Sequence, residues 1–320
     1  MCTYNGAQHL PEQLESIARQ TQPPSELIVC DDGSKDGTIA LITEFSRKVT
    51  FRVRLFCNGR NLGPAKNFEQ AIGLCEGEII FLCDQDDVWE PCKIRNMLEV
   101  FTSHPDGYYA FSDAQTIDQS GKLLNQTLWA ALNLRAADFI GSKQLERLLK
   151  SNVITGAGLA FRSSLREIVL PIPPGWMHDE CIGLLGSVIS DGILVSEPLY
   201  KYRRHSAQVI GFRKSGLFQA LLDSLASNNE TSRRKLLAFR SLLERLNGTC
   251  KSGTISAERM NLLKQKEFHL LQRAIARSER GVNRFSKVFA EARSGRYGRF
   301  SNSSWSILRD LTSFKLLERD

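Results

Sequence analysis

Two strand-length apolar runs in this chain stop abruptly on acid. Glu26-Leu27-Ile28-Val29-Cys30 runs straight into Asp31-Asp32, and Glu78-Ile79-Ile80-Phe81-Leu82-Cys83 runs into Asp84-Gln85-Asp86-Asp87. Short β-branched and aromatic runs of this kind read as buried strands. Between and around them the period changes. Leu10, Leu14 and Ile17 recur at helical spacing, helices are predicted from about Ile39 to Arg47 and Ala65 to Cys75, and Arg52–Phe56 reads as a further strand. Strands alternating with helices predict βαβ units and a Rossmann-like, mainly parallel α/β sheet flanked by helices. Right-handed crossovers place the loops at the carboxyl ends of the strands, where open α/β sheets bind ligands. Both acid clusters are therefore predicted on one edge, facing one ligand.

Three carboxylates within four residues repel one another, and a cation offsets that cost. Hard divalent ions such as Mg²⁺ or Mn²⁺ take one or two carboxylates and complete their shell with substrate phosphates. The cluster predicts a metal that waits for a diphosphate. The competing assignment is a solvated acidic turn with Asp87 as a helix N-cap.

The eight cysteines form no C-x-x-C pair and no zinc-type spacing, and Cys30, Cys75 and Cys83 lie in or beside apolar runs. This predicts a reducing, cytoplasmic setting. No apolar run approaches the ~18 residues of a membrane span, and no signal peptide is visible. The net charge of +7 is unevenly placed: residues 1–210 carry 20 Lys and Arg against 25 Asp and Glu (net −5), and residues 211–320 carry 22 against 10 (net +12). The acidic part holds the candidate site, and the basic part suits an anionic surface, either membrane lipid or nucleic acid. We divide the chain into 1–211, an α/β domain, and 212–320, a basic and mostly helical region with breaks near Asn247-Gly248 and Ser294-Gly295.

Residues 107–210 are less regular. Tyr108–Ser112 and Gly192–Val195 read as strands, Asn152–Phe161 as a glycine-containing strand or loop pair, and Pro173–Glu180 as a loop entering a helix. Tyr200-Lys201-Tyr202-Arg203-Arg204-His205 is polar, basic and aromatic.

The order of these pieces resembles the inverting family 2 glycosyltransferases of GT-A fold. The resemblance covers roughly residues 1–211 and rests on Thr3-Tyr4-Asn5-Gly6, Asp31-Asp32-Gly33-Ser34, Asn61-Leu62-Gly63, Asp84-Gln85-Asp86-Asp87-Val88-Trp89, His178-Asp179 and Tyr202-Arg203-Arg204-His205. The D-Q-D-D-x-W form with the later H-D and Y-R-x-H is most similar to the bacterial rhamnosyltransferase branch, which builds O-antigen and related surface polysaccharides. The resemblance implies a nucleotide-sugar donor and a role for each matching position. Thr3, Tyr4 and Asp32 hold the pyrimidine base, with Asp32 accepting the ring N–H and Asp31 supporting the turn. Asn5 belongs to the same segment, and Asn61 and Gly63 shape or touch the nucleotide. Asp84 faces the ribose, Asp86 binds the metal, and His205 reaches the metal or the diphosphate. Arg203 and Arg204 balance phosphate charge, and Asp179 is the general base. A basic tail at the inner face of the cell membrane, near a lipid-linked glycan acceptor, completes the expectation, with no nucleic acid as partner.

Plainer assignments compete at several positions. Asp179 also suits a helix N-cap, His205 a surface loop, Trp89 and Trp176 packing, and Gly156 and Gly158 turns. The chain opens at Met1-Cys2, so most of the first strand the family carries is expected to be missing or reduced to a stub. Glu180 stands where the branch often has an aromatic residue, and it adds a second carboxylate beside the base. A UDP-sugar donor, or a non-catalytic basic membrane- or nucleic-acid-binding protein, are the alternatives.

Overall fold

The computed structural model describes residues 1–204, 229–249, 255–301 and 303–312. In chain order the elements are β1 (Cys2–Thr3), α1 (Leu10–Ala18), β2 (Glu26–Asp31), α2 (Thr38–Ser46), β3 (Arg52–Cys57), α3 (Pro64–Leu74), β4 (Ile79–Phe81), β5 (Val88–Trp89), α4 (Lys93–Ser103), β6 (Tyr109–Asp118) and β7 (Leu123–Thr127). Then come α5 (Ser142–Lys150), β8 (Leu159–Arg162), α6 (His178–Ile189), β9 (Ile193–Arg204), α7 (Asn229–Thr249), α8 (Ala257–Ser278), α9 (Gly281–Arg293), α10 (Arg296–Phe300) and α11 (Ser303–Thr312). Single α-helical turns at Leu128–Ala131 and Arg166–Val169 and 3₁₀ turns at Ala136–Phe139, Gly156–Gly158 and Ser163–Leu165 complete the described elements. The chain forms two compact units, one of Met1–Gly141, Val153–Ile172 and Trp176–Gly211, the other of Ser142–Asn152, Pro173–Gly175 and Phe212–Asp320. Ser142–Asn152, which the sequence places in the α/β domain, thus belongs to the second unit.

In the first unit β1, β2 and β3 pair in parallel, with β2 central. Ile28, Val29 and Cys30 are buried because a parallel strand is covered on both faces. The apolar positions of α1 (Leu10, Leu14, Ile17) and α2 (Ile42, Phe45) close over β2. β1 is only two residues long, and the Met1 amine reaches the Ile28 carbonyl at 2.8 Å. The Cys2 N–H donates to the Cys83 carbonyl, so the segment leaving β4 runs alongside β1.

The expectation of a mainly parallel arrangement holds for these strands alone. The second sheet runs β4-β8-β6-β9-β5, with β7 paired on β6; only β6–β9 is parallel, and the other pairings are antiparallel. The reversal begins with the β6–β7 hairpin, which turns at Ser120-Gly121 (Gly121 φ 86°), and with β8, which inserts between β4 and β6 in the opposite sense. Two further local expectations are revised. Asn152–Thr155 is irregular and only Leu159–Arg162 is strand, while Tyr200–Arg204, without an assignment in the sequence, is the second half of β9.

The second unit is cross-braced by buried charge. Asp310 of α11 accepts both arms of Arg273 (2.6 and 3.1 Å) and Arg277 Nε (2.6 Å) from α8, and the Tyr297 hydroxyl from α10 (2.5 Å). Glu291 of α9 accepts His269 of α8 at 2.6 Å and Arg296. Removing one member of such a set strands buried charge. Asp310→Ala should cost about 3–5 kcal/mol, read as a fall in the thermal or denaturant midpoint, whereas substitution at the exposed Lys264 should leave it unchanged.

Candidate active site at the strand ends

The loops after β1 and β4 are tied by one side chain. The Gln85 amide accepts the Tyr4 N–H at 2.8 Å and donates to the Tyr4 carbonyl at 3.1 Å. Gly6 is needed there: a Cβ on it would stand 2.2 Å from Gln85 Oε1. One residue earlier, the Thr3 hydroxyl donates to Asp31 at 2.7 Å. The two acid clusters are thus joined across the edge through Thr3-Tyr4.

Asp31 and Asp32 are loop organisers. Buried Asp31 accepts the Gly33 and Ser34 N–H groups and the Thr3 and Ser34 hydroxyls. Asp32, 3% exposed, accepts Asn58 Nδ2 and the Leu62 N–H on one oxygen and the Gly63 N–H on the other. Gly63 adopts φ 80° and opens α3 ahead of Pro64, while the Asn61 side chain shares the Gly63 N–H at 3.0 Å. Asn5, at φ 48°, bonds Ser34 and Lys35. Tyr4 is 49% exposed beside this scaffold.

The second acid cluster behaves differently. Asp84, half-buried, is pushed up from 3.8 to about 7 by its burial, then by the Asp86 charge, then by Asp179. Asp179 lies in the first turn of α6, where it accepts the Glu180 N–H at 2.7 Å; it does not cap the helix, because Met177 occupies the N-cap. A residue ninety-five positions away thus adds its charge to the end of β4. Asp87 is no helix cap either. β5 follows it, and its carboxyl is buried, accepts the Arg203 N–H at 2.9 Å and is held well above the usual carboxylate range by burial, Asp86 and Asp84.

Arg203 does not reach the surface to meet phosphate. It is 1% exposed, with its Nε on the Asp86 carbonyl at 2.8 Å, further donors on the Asp118 and Gln119 carbonyls, and an ion pair to Glu12. The alternation of β9 turns it inward, so it holds the acid loop from behind. Arg204, the next residue, is half-buried and lies opposite Asp118 in register. His205 lies outside the described residues. Among the described residues no group of three or more His, Cys, Asp or Glu is arranged to hold an ion.

Two participants escape the sequence. Lys93, fully buried at the start of α4, sits over the Trp89 ring at 4.2 Å and the Tyr200 ring at 4.6 Å and donates to the Ala157 carbonyl. Burial brings it down to about 7, against the pull of Cys83, Asp87 and Asp84. It supplies positive charge behind the carboxylates, and Trp89 is therefore a packing residue of the site wall. His178, 5% exposed, stacks on Phe68 at 3.8 Å between ring centres, and burial brings it down to about 3, so it stays neutral. Its two ring nitrogens have no hydrogen-bond partner among the described residues. A Cβ on Gly156 would lie 2.9 Å from His178 Nε2 and 3.6 Å from Asp84 Oδ2, so Gly156 keeps the space between them open. The only signals for these were a lysine soon after the acid cluster and the histidine preceding Asp179.

Two outcomes follow. Gly156→Ala should cost about 1–3 kcal/mol through overpacking, and the penalty should shrink in a His178→Ala background, measured as a double-mutant cycle. The Asp84 carboxyl is raised in the folded protein relative to 3.8, so the fold binds its proton more tightly than the unfolded chain. That contribution is lost as pH rises from about 4 through about 7. Thermal melts of metal-free protein should show this fall, and added Mn²⁺ should flatten it.

Residues 1–169 match the model of glycosyl transferase family 2. An uncharacterized glycosyltransferase of Nostoc sp. is 30% identical over 216 residues, 64% of this chain and 63% of that protein. The putative teichuronic acid biosynthesis glycosyltransferase TuaG of Bacillus subtilis is 26% identical over 136 residues, 42% of this chain and 53% of that protein. The chain spans about six-tenths of the length of such curated relatives. Among solved structures, S. aureus TarS in complex with UDP-GlcNAc superposes with TM-score 0.54 at 15% identity, covering 93% of this chain and 90% of that one. The mannosyltransferase PcManGT of Pyrobaculum calidifontis, in complex with GDP-Man and Mn²⁺, gives 0.51 at 15%, covering 97% and 83%. These likenesses show a GT-A-type α/β fold with a mixed sheet and a helical C-terminal region. With the family match over more than half its length, this chain belongs to glycosyl transferase family 2.

Proposed function

We propose that the protein is a metal-dependent, inverting glycosyltransferase that moves a sugar from a nucleoside diphosphate to a hydroxyl of a lipid-linked glycan in surface-polysaccharide synthesis. The observation that carries this is that the segment bearing Asp179 meets the end of β4: a Cβ on Gly156 would lie 2.9 Å from His178 Nε2 and 3.6 Å from Asp84 Oδ2, and the Asp179 charge bears on Asp84. Inversion needs one in-line displacement, with a base on the acceptor side and charge stabilisation on the leaving side.

In this reading Asp179 takes the proton of the acceptor hydroxyl as its oxygen attacks the anomeric carbon. The bond from that carbon to the phosphate oxygen breaks, and its electron pair leaves with the nucleoside diphosphate. Asp84 and Asp86 suit a hard divalent ion, because Asp84 ionises at a cost that a cation removes and Asp86 stands two residues on in the same loop; Mg²⁺ or Mn²⁺ needs only one or two protein carboxylates when the diphosphate supplies the rest. When bound, that ion would neutralise charge developing on the leaving group. We assign Asp86 as its ligand, Asp84 to the ribose side, and His205 as a further candidate ligand. Exposed Tyr4 is placed to meet the base. Asp31, Asp32, Asn5, Asn61 and Gly63 act by shaping that loop, with Thr3 linking them, and Arg204 faces phosphate from the end of β9. The donor we favour is dTDP-rhamnose, from the D-Q-D-D-x-W, H-D and Y-R-x-H segments. A UDP-sugar is the second reading, favoured by the likeness to the TarS complex with UDP-GlcNAc.

The test is nucleoside diphosphate release from dTDP-rhamnose, UDP-sugars and GDP-sugars with a lipid-linked acceptor and Mg²⁺ or Mn²⁺. Release above background with one donor is expected, and neither binding nor turnover with any of them overturns the proposal. Asp86→Ala should abolish metal-dependent donor binding in calorimetry. Asp179→Asn should bind donor as the wild type does and lose transfer by about 10²–10⁴-fold; retained transfer refutes the base assignment.

A further inference from the structure

α9 is amphipathic the wrong way round for a helix of a soluble domain. Its sequence, Gly281–Arg293, carries four large apolar residues, of which Val288 is buried and Val282, Phe285 and Phe289, at spacings of three and four, are not. These are 82%, 48% and 56% exposed. The residues it buries are Arg284, Val288 and Glu291. At 100° per residue, Val282, Phe285 and Phe289 fall within one narrow stripe, centred about 125° around the helix from the buried three.

The orientation is held by specific bonds. Arg284 turns inward because its guanidinium reaches the Glu279 carbonyl at 3.0 Å and the Arg277 carbonyl at 3.2 Å, closing the end of α8. Glu291 turns inward to meet His269 and Arg296. Rotating the helix to hide the phenylalanines would break both sets of bonds and take Val288 out of its core contacts.

The charges around the stripe have one sign. Glu291 is the only acid in α9, and it is 4% exposed; Glu279, on the turn before, is paired with Lys287 at 2.7 Å. Arg280 and Arg293 are exposed at the two ends of the stripe, and residues 211–320 carry a net +12. An apolar stripe with aromatic residues and basic ends is what an interfacial helix presents to an anionic bilayer, where aromatic rings enter the acyl boundary and guanidinium groups meet lipid phosphate. Among the described residues no helix is long and apolar enough to cross a membrane, so attachment would lie in the surface plane.

We propose that α9 docks this protein on an anionic lipid bilayer by inserting Val282, Phe285 and Phe289, with Arg280 and Arg293 engaging headgroup phosphates. The inference is independent of the transferase reading, because it is tested by sedimentation without donor or acceptor.

The full chain should co-sediment with phosphatidylglycerol-containing vesicles and much less with pure phosphatidylcholine. Phe285→Ser with Phe289→Ser should lower partitioning about tenfold or more, with an unchanged circular-dichroism melt. Arg280→Glu with Arg293→Glu should remove the preference for phosphatidylglycerol. As a variant that keeps the apolar stripe, Phe289→Trp should add emission that brominated lipid quenches beyond the wild-type level. Equal sedimentation of the phenylalanine variant and wild type, or no added quenching, overturns the proposal. So does a wild-type dimer in light scattering that the phenylalanine variant converts to monomer, which would make the stripe a self-association face.

Discussion

Carboxylates held closer than they would choose are the constraint on which the first unit depends. Asp84 sits against Asp86 and Asp179, and Asp87 is buried just behind. The surrounding fold makes that tolerable from several sides. Lys93 places a buried cation beneath the cluster between the Trp89 and Tyr200 rings. Arg203 grips the Asp86 carbonyl and donates its own N–H to Asp87. Without these, the repulsion would push the loop apart. With them, the remaining strain is relieved by a proton on Asp84, which is the origin of the pH response.

The loops that follow β1, β2 and β3 follow another logic. Asp31 and Asp32 are nearly saturated by backbone and side-chain donors from three loops. Their charge sets the loop geometry, and Gln85 then fixes that geometry to the acid cluster through Tyr4. Motif positions that look alike in a sequence therefore divide into groups that face a ligand and groups that place the first kind. Arg203 and Arg204 show the same division between adjacent residues, because strand alternation sends one inward and leaves the other half-buried at the strand end.

In the second unit buried ion pairs decide which way each helix faces. Asp310 gathers α8, α10 and α11, and Glu291 with Arg284 orients α9. Three apolar residues are turned to solvent by that choice, an arrangement that hydrophobicity alone would reverse.

The amino-acid sequence by itself determined the α/β class, the strand ends on which acid falls, the carboxylate at Asp179 and the uneven charge, because apolar period and motif order are local properties. It misassigned the second sheet as parallel, since strand direction there depends on which distant strand inserts between which neighbours. It placed Arg203 on phosphate, and it left a helix N-cap as the competing assignment for Asp87, since burial behind a loop is invisible to spacing. Lys93 was not singled out, and His178 was quoted only as part of His178-Asp179 with no role of its own, because their meaning lies in the rings and carboxylates that close around them. Tertiary structure alone decided that α9 turns its phenylalanines outward, because the buried partners of Arg284 and Glu291 come from other helices, and only packing brings them together.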